Sequence, residues 1–257
     1  MSPLLGPDDE KYEDFYQHWM EEQKEQLQEL HDALDSNMQE NQLKQLNEKV
    51  LNQYVRYYKA KGRATKQDVL KIVHPLWRSP LENAFSFIGG WRPTMVFQLA
   101  YAQAGQQIEA ELAEFLSGID TPNMASLTAT QLKRISELQE STQKSEEELE
   151  HRMAILQQGM ADQPLLSLAQ ADAKQHEKEE ADTESILETA VDDKLKVLEE
   201  IVLAADNLRM ETLSKMLTLL NAVQAAQYLV AAAQIHIAIR DLGKKRNGVN
   251  GGHNLAV

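Results

Sequence analysis

One corner limits what this chain can fold into. Phe87-Ile88-Gly89-Gly90-Trp91-Arg92-Pro93-Thr94 places two glycines and a proline between stretches that otherwise read as helix. Glycine pairs release the backbone and Pro93 presets the first turn of a helix that follows it. The segment therefore predicts a tight structural elbow, Gly89 to Pro93, with Trp91 as its aromatic anchor. Before it, apolar residues recur at steps of three and four: Phe15, Trp19, Met20, Leu27, Leu30 and Leu34, then Leu43, Leu46, Val50, Tyr54 and Tyr57. No run of alternating β-branched residues bounded by turns is present. The fold class that follows is all-α, a multi-helix bundle of long antiparallel helices in a single domain.

Local signals divide the chain further. Asp8-Asp9-Glu10 supplies acids at the start of the first helix, where the helix dipole favours them. Gly62 reads as the C-terminal cap of the second helix. Thr65 starts a short helix ending at His74-Pro75. Ser79-Pro80-Leu81-Glu82 combines a Ser cap, Pro at the first position and Glu at the third, opening a helix that reaches Gly89-Gly90. One or two helices fill 93–117, with Gly105 as a possible break. Thr128 with Gln131 has capping-box spacing ahead of a long amphipathic helix, whose polar middle, Thr142 to Glu148, is expected to face solvent. Residues 160–182 read as a charged, flexible linker. A helix carrying Leu195, Leu198, Ile201, Val202, Ala205 and Leu208 follows, then an Ala-rich helix over 222–241. The domain is expected to span 10–243, with a flexible leader at 1–9 and a disordered tail at 244–257.

Charge and composition exclude several classes. The net charge is −14, and residues 171–200 hold 11 acids against 4 bases. An acidic surface repels phosphates, so direct nucleic-acid binding is not expected. Lys244-Lys245-Arg246 is the one basic cluster, and its position suits a helix C-terminus. With no cysteine, disulfides, thiolate zinc sites and thiol catalysis are ruled out. The first ten residues lack a secretory pattern. The apolar stretch 222–239 is interrupted by Gln224, Gln227, Gln234 and His236, so it reads as a buried core helix rather than a transmembrane segment.

No catalytic constellation is legible. None of the seven histidines pairs with another at helical spacing, so no metal site is expected. No strand leads into the glycines to form a phosphate loop, and no nucleophile elbow occurs. The chain reads as a non-enzyme. Two features stay open. His236, within Ala233-Gln234-Ile235-His236-Ile237, suits a satisfied core histidine or an axial haem ligand. Phe15, Trp19, Met20 and Gln23 suit a partner-binding surface, where aromatics and Met are enriched, or the domain's own core.

Several segments taken in order carry a resemblance. Trp77-Arg78-Ser79-Pro80-Leu81-Glu82, the elbow with its Trp91, Leu132 to Gln139, Ala205-Asp206-Asn207-Leu208-Arg209 with Thr212-Leu213, and Gln224 to His236 together resemble the plant DOG1 domain. This domain also forms the C-terminal part of TGA-type bZIP transcription factors. The likeness covers roughly residues 10–243. The Trp91 form of the elbow and the absence of a basic region and zipper ahead of the domain place it nearer the stand-alone DOG1-like branch.

The resemblance implies a regulatory adaptor in seed dormancy, germination or abscisic acid and other hormone signalling, in nucleus and cytoplasm. Its partners would be type 2C phosphatases, through Phe15, Trp19, Met20 and Gln23, and bZIP factors. It also implies alternatives: a TGA-associated transcription regulator, a haem or lipid sensor, or a pollen-aperture factor. The family's haem contact uses two histidines one turn apart. His236 stands at the first position and Arg240 at the second, and a protonated guanidinium has no lone pair for iron. No cofactor is therefore certain, and oligomeric state is not legible.

Overall fold

A computed structural model describes residues 11–116, 127–159 and 180–251, and among these every regular element is a helix. The helices are α1 Tyr12–Asp35, α2 Glu40–Gln67, α3 Val69–Val73, α4 Pro80–Ala84, α5 Met95–Leu116, α6 Ala129–Gln158, α7 Glu180–Leu219 and α8 Ala222–Gly251.

Helix ends follow local chemistry in most places. After α1 the chain turns through Asn37 at φ 49°, a left-handed conformation that Asn tolerates. Both expected capping boxes form, Ser79 with Glu82 and Thr128 with Gln131. Other boundaries differ from the sequence reading. Gly62 does not stop α2; it lies inside the helix, facing Leu203 on α7. Thr65 likewise belongs to α2, where its buried hydroxyl donates to the Lys61 carbonyl. The cap of α3 is Asp68, whose carboxylate accepts from the Lys71 N–H at 3.2 Å. α4 ends at Ala84, short of the glycines, and α5 passes Gly105 unbroken. α8 runs beyond Gly243 to Gly251. The leader at 1–9 and most of the charged stretch 160–182 lie outside the described residues.

Cross-helix bonds give the register. Glu22 meets Arg56 and Glu29 meets Lys49, so α1 and α2 are antiparallel. Gln17 with Arg240 and Gln23 with His236 run α8 antiparallel to α1. Thr142 with Thr212 and Arg152 with Glu200 do the same for α6 and α7. α2 packs on α1, α7 and α8 and is the central element. α8 is long and apolar enough to cross a membrane by length and composition. Here its Ala222, Ala226, Leu229 and Val230 pack on Leu30, Leu43 and Val50 of the first two helices.

Candidate functional site: the elbow and the aromatic cavity behind it

The elbow is a two-residue hairpin turn. Phe87 and Gly90 exchange both backbone bonds, at 2.6 and 3.1 Å, around Ile88 at φ 45° and Gly89 at φ 72°. Two positive φ values in succession are the signature of a type I′ turn. Glycine suits the second position; isoleucine at the first is strained, because its branched Cβ crowds the backbone. Gly90 is required for a different reason. A Cβ there would sit 2.9 Å from Cζ of Arg209.

A buried ionic cluster holds this turn. Lys61 on α2 donates to Asp206 Oδ1 at 2.7 Å and to the Gly89 carbonyl at 2.9 Å. Arg209 on α7 pairs with the same Asp206 oxygen at 2.5 Å and donates to the carbonyls of Trp91, Ile88 and Phe87. Lys61, Asp206 and Arg209 are all at most 4% exposed. Burial pushes the Lys61 ammonium below its ordinary range, against the pull of Asp206, and the neighbouring Arg209 and Arg78 push the same way as burial. Carbonyl oxygens do the rest of the work here, replacing the water that two desolvated cations lose.

Beyond the turn, Glu146 of α6 closes the start of α5. Its carboxylate accepts from the Thr94 N–H at 2.6 Å, the Thr94 hydroxyl at 3.0 Å and Arg92 at 3.2 Å. Glu146 and Thr142 are therefore buried, two exceptions to the expectation that the middle of α6 is solvated. The rest of that stretch, Gln143, Lys144, Ser145, Glu147 and Glu148, faces water as expected.

Behind the elbow lies a cavity of about 320 Å³. Its walls are mostly aromatic and aliphatic: Trp19, Tyr54, Tyr57, Tyr58, Trp91, Leu99, Leu213 and Tyr228. Lys61, Arg78 and Arg209 make one part of the wall cationic. Asp206 is the single carboxylate within ion-pair distance of these three among the described residues. Arg78 instead lies 5.5 Å from the Tyr16 ring centroid and contacts the Tyr57 hydroxyl and the Gly89 carbonyl. The Trp19 indole N–H, buried in this region, has no hydrogen-bond partner among the described residues.

The sequence-predicted site residues separate. Trp19, Met20 and Gln23 are inside, Trp19 stacked on Tyr57 at 4.2 Å; Phe15 is half-buried beside Tyr12. In this conformation they belong to the domain's own core, because an apolar α1 face must be covered by α2 and α8. The outward face of α1 is acidic instead, with Glu13, Asp14, Glu21, Glu25 and Asp32 exposed. His236 does join the cavity, its ring flanked by Trp19 at 5.4 Å and Trp91 at 5.5 Å. Its Nδ1 lies 3.1 Å from Gln23 Oε1, which assigns the proton to Nδ1. Burial, with Arg78 and Arg240 adding, pushes His236 down to about 3, so the imidazole is neutral.

Arg240 is committed elsewhere, to Glu82 at 3.3 Å and Gln17 at 2.6 Å. Among the described residues no second histidine lines the cavity, and two indoles crowd His236. Haem held by paired imidazoles does not fit these residues. Among the described residues no group of three His, Asp or Glu is placed for a metal ion.

Comparison with known proteins decides the family. The profile described as seed dormancy control, DOG1, matches residues 26–102. Protein DOG1-like 4 of Arabidopsis thaliana is 30% identical over 97% of this chain and 99% of its own length. The chain belongs to the DOG1 family. Protein DOG1-like 3 of the same plant is 29% identical over 90% of this chain and 83% of its own length. The tobacco TGACG-sequence-specific DNA-binding protein TGA-1A is 34% identical over 90% of this chain, which spans 56% of that relative. The fold and family of a plant DOG1-like regulatory protein are thereby in place. In this DOG1 domain, the Ala205-to-Arg209 signature turns out to contribute Asp206 and Arg209, the acid and base that grip the elbow. Lys61 and Glu146 carried no signal beyond ordinary charges on helices.

Proposed function

We propose that this DOG1-like protein is a non-enzymatic plant regulator that works by binding protein partners, type 2C phosphatases among them, in dormancy, germination or hormone signalling. The observation supporting this reading is the division of labour on α1. Its aromatic face is locked into the core, so its acidic face stays outward and in register along six turns. A partner with a basic surface would meet oriented carboxylates there, which favours encounter rate and specificity. The test is calorimetric titration of a type 2C phosphatase with the wild-type chain and with Glu21→Lys/Glu25→Lys. Binding weakened about tenfold by charge reversal is expected; unchanged affinity removes α1 as the docking element.

A second reading, a small-molecule sensor, is favoured by the cavity. Apolar walls with a cationic side and an unpaired indole donor suit an apolar acid of the lipid type. Native mass spectrometry of the chain purified from plant tissue would detect such a ligand, and an empty chain throughout would remove this reading. Kinship with TGA factors supports a nuclear, transcription-linked setting, checked by whether the chain co-purifies with bZIP partners.

A further inference from the structure

The outer face of α8 carries an apolar stripe that the described residues leave partly open to solvent. Ile235, Ile239 and Leu242 recur at steps of four and three, so they lie on one face across two turns. Ile235 is 40% and Leu242 50% exposed. Phe85, 63% exposed after α4, shares a small crevice with Ile239, and Trp91 of the elbow and Met95 of α5 line the same cavity as Ile235. Gly243 explains how close α4 comes to the stripe. A Cβ there would overlap Ser79, so the two helices touch backbone to side chain and Phe85 is set directly beside the stripe.

The next turn of α8 carries Lys244, Lys245 and Arg246, all exposed and, among the described residues, without an ion-pair partner within 4 Å. Dipole compensation does not account for them. That effect is confined to the last turn of a helix, and α8 continues to Gly251. A chain of net charge −14 thus presents a basic turn, set against a single Asp241, beyond the end of its exposed apolar stripe.

We infer that the Phe85–Ile235–Ile239–Leu242 surface, continued by Arg246 and bordered by Lys245, is a second docking site, for an amphipathic protein helix whose apolar face is bordered by acidic residues. A helix matches the stripe because its own anchors repeat at the same spacing. Acidic flanks match the basic turn. A bilayer matches less well, since electrostatic membrane attachment uses clusters of about four to eight basic residues, and the rest of this chain would be repelled by anionic lipid. The inference goes beyond docking on α1, which uses a different face and opposite charge.

The test uses the full chain and a fluorescein-labelled amphipathic peptide of about five turns, Leu at helical spacing and Glu on the flanks. Fluorescence anisotropy should show saturable binding that weakens about tenfold or more in Leu242→Glu and in Lys244→Glu/Lys245→Glu/Arg246→Glu. The triple variant should also flatten the salt dependence. Circular dichroism melts of these exposed-site variants should match wild type. No binding, equal binding of a Lys-flanked peptide, or indifference to Leu242→Glu overturns the site. Sedimentation as a dimer that Leu242→Glu dissociates assigns the surface to a second copy. Preference for vesicles containing roughly one-third phosphatidylserine assigns it to a membrane. Either of these also overturns the proposal. Because Glu21→Lys/Glu25→Lys leaves this face intact, the two docking readings fail separately.

Discussion

Glu146 accepts a hydrogen bond from the Thr94 backbone N–H at 2.6 Å, so a carboxylate 52 residues downstream caps the start of α5. The same group takes the Thr94 hydroxyl and Arg92, which ties the elbow, α5 and α6 at one point. Pro93 lies in the turn just before the helix, where its carbonyl accepts from the Val96 N–H at 3.3 Å.

Glu146→Gln keeps the shape of that cap and removes its charge. The loss should be about 1–3 kcal/mol, the range for a buried bond to a charged group. It is read as a lower urea midpoint at unchanged slope. A loss under about 0.5 kcal/mol would place Glu146 among ordinary surface positions.

Asp206→Asn should be costlier, because it leaves Lys61 and Arg209 buried with carbonyls alone. Breaking a buried pair by removing one partner costs about 3–5 kcal/mol. Adding Lys61→Met to Asp206→Asn should recover part of the loss. A double-mutant cycle that comes out additive would show the two residues to be independent.

Two glycines should answer oppositely to alanine. Gly90→Ala drives a Cβ against the Arg209 guanidinium and should cost about 2 kcal/mol or more by breaking its carbonyl bonds. Gly105 lies exposed within α5 with open space around it, so Gly105→Ala should add about 1 kcal/mol. Thermal midpoints of the two variants moving in the same direction would contradict this account.

His236 sets a pH dependence. Its ordinary value is 6.5, and the fold holds it down to about 3. Between those limits the unfolded chain binds the extra proton, so the imidazole's contribution is full above pH 6.5 and is lost as pH falls towards 3. Urea midpoints taken across that window should decline more steeply for wild type than for His236→Gln. Parallel declines would mean that the imidazole is accessible to protons in the folded state.

Much of the bundle was legible because it rests on short-range rules. The apolar spacing of Leu43, Leu46 and Val50 marks a buried face, and Ser79 with Glu82 or Thr128 with Gln131 marks a helix start. Such signals need only a few neighbouring residues. Gly62 misled for the same reason. Locally it looks like a stop, but α7 packs against it and the helix continues.

The candidate site depends on longer-range facts. Trp19 on a helix reads as surface anchor or core, and packing by Tyr57 and His236 makes it core. Glu146 and Thr142 look solvated within a polar run, yet Thr94 and Thr212 bury them. A charge on a helix is solvent-facing until a partner from a distant segment compensates its desolvation.

By itself, then, the sequence determined an all-α chain, its capping boxes and the presence of a glycine turn before Trp91, since each follows from propensity and spacing within a turn or two. Tertiary structure alone decided what the turn is for. Lys61, 145 residues before Asp206, meets the Asp206–Arg209 pair at the turn's carbonyls and puts a cationic wall on an aromatic cavity. Burying those charges is favourable only where all partners arrive together, and that requirement is written in the packing of α2 against α7 rather than in any one segment.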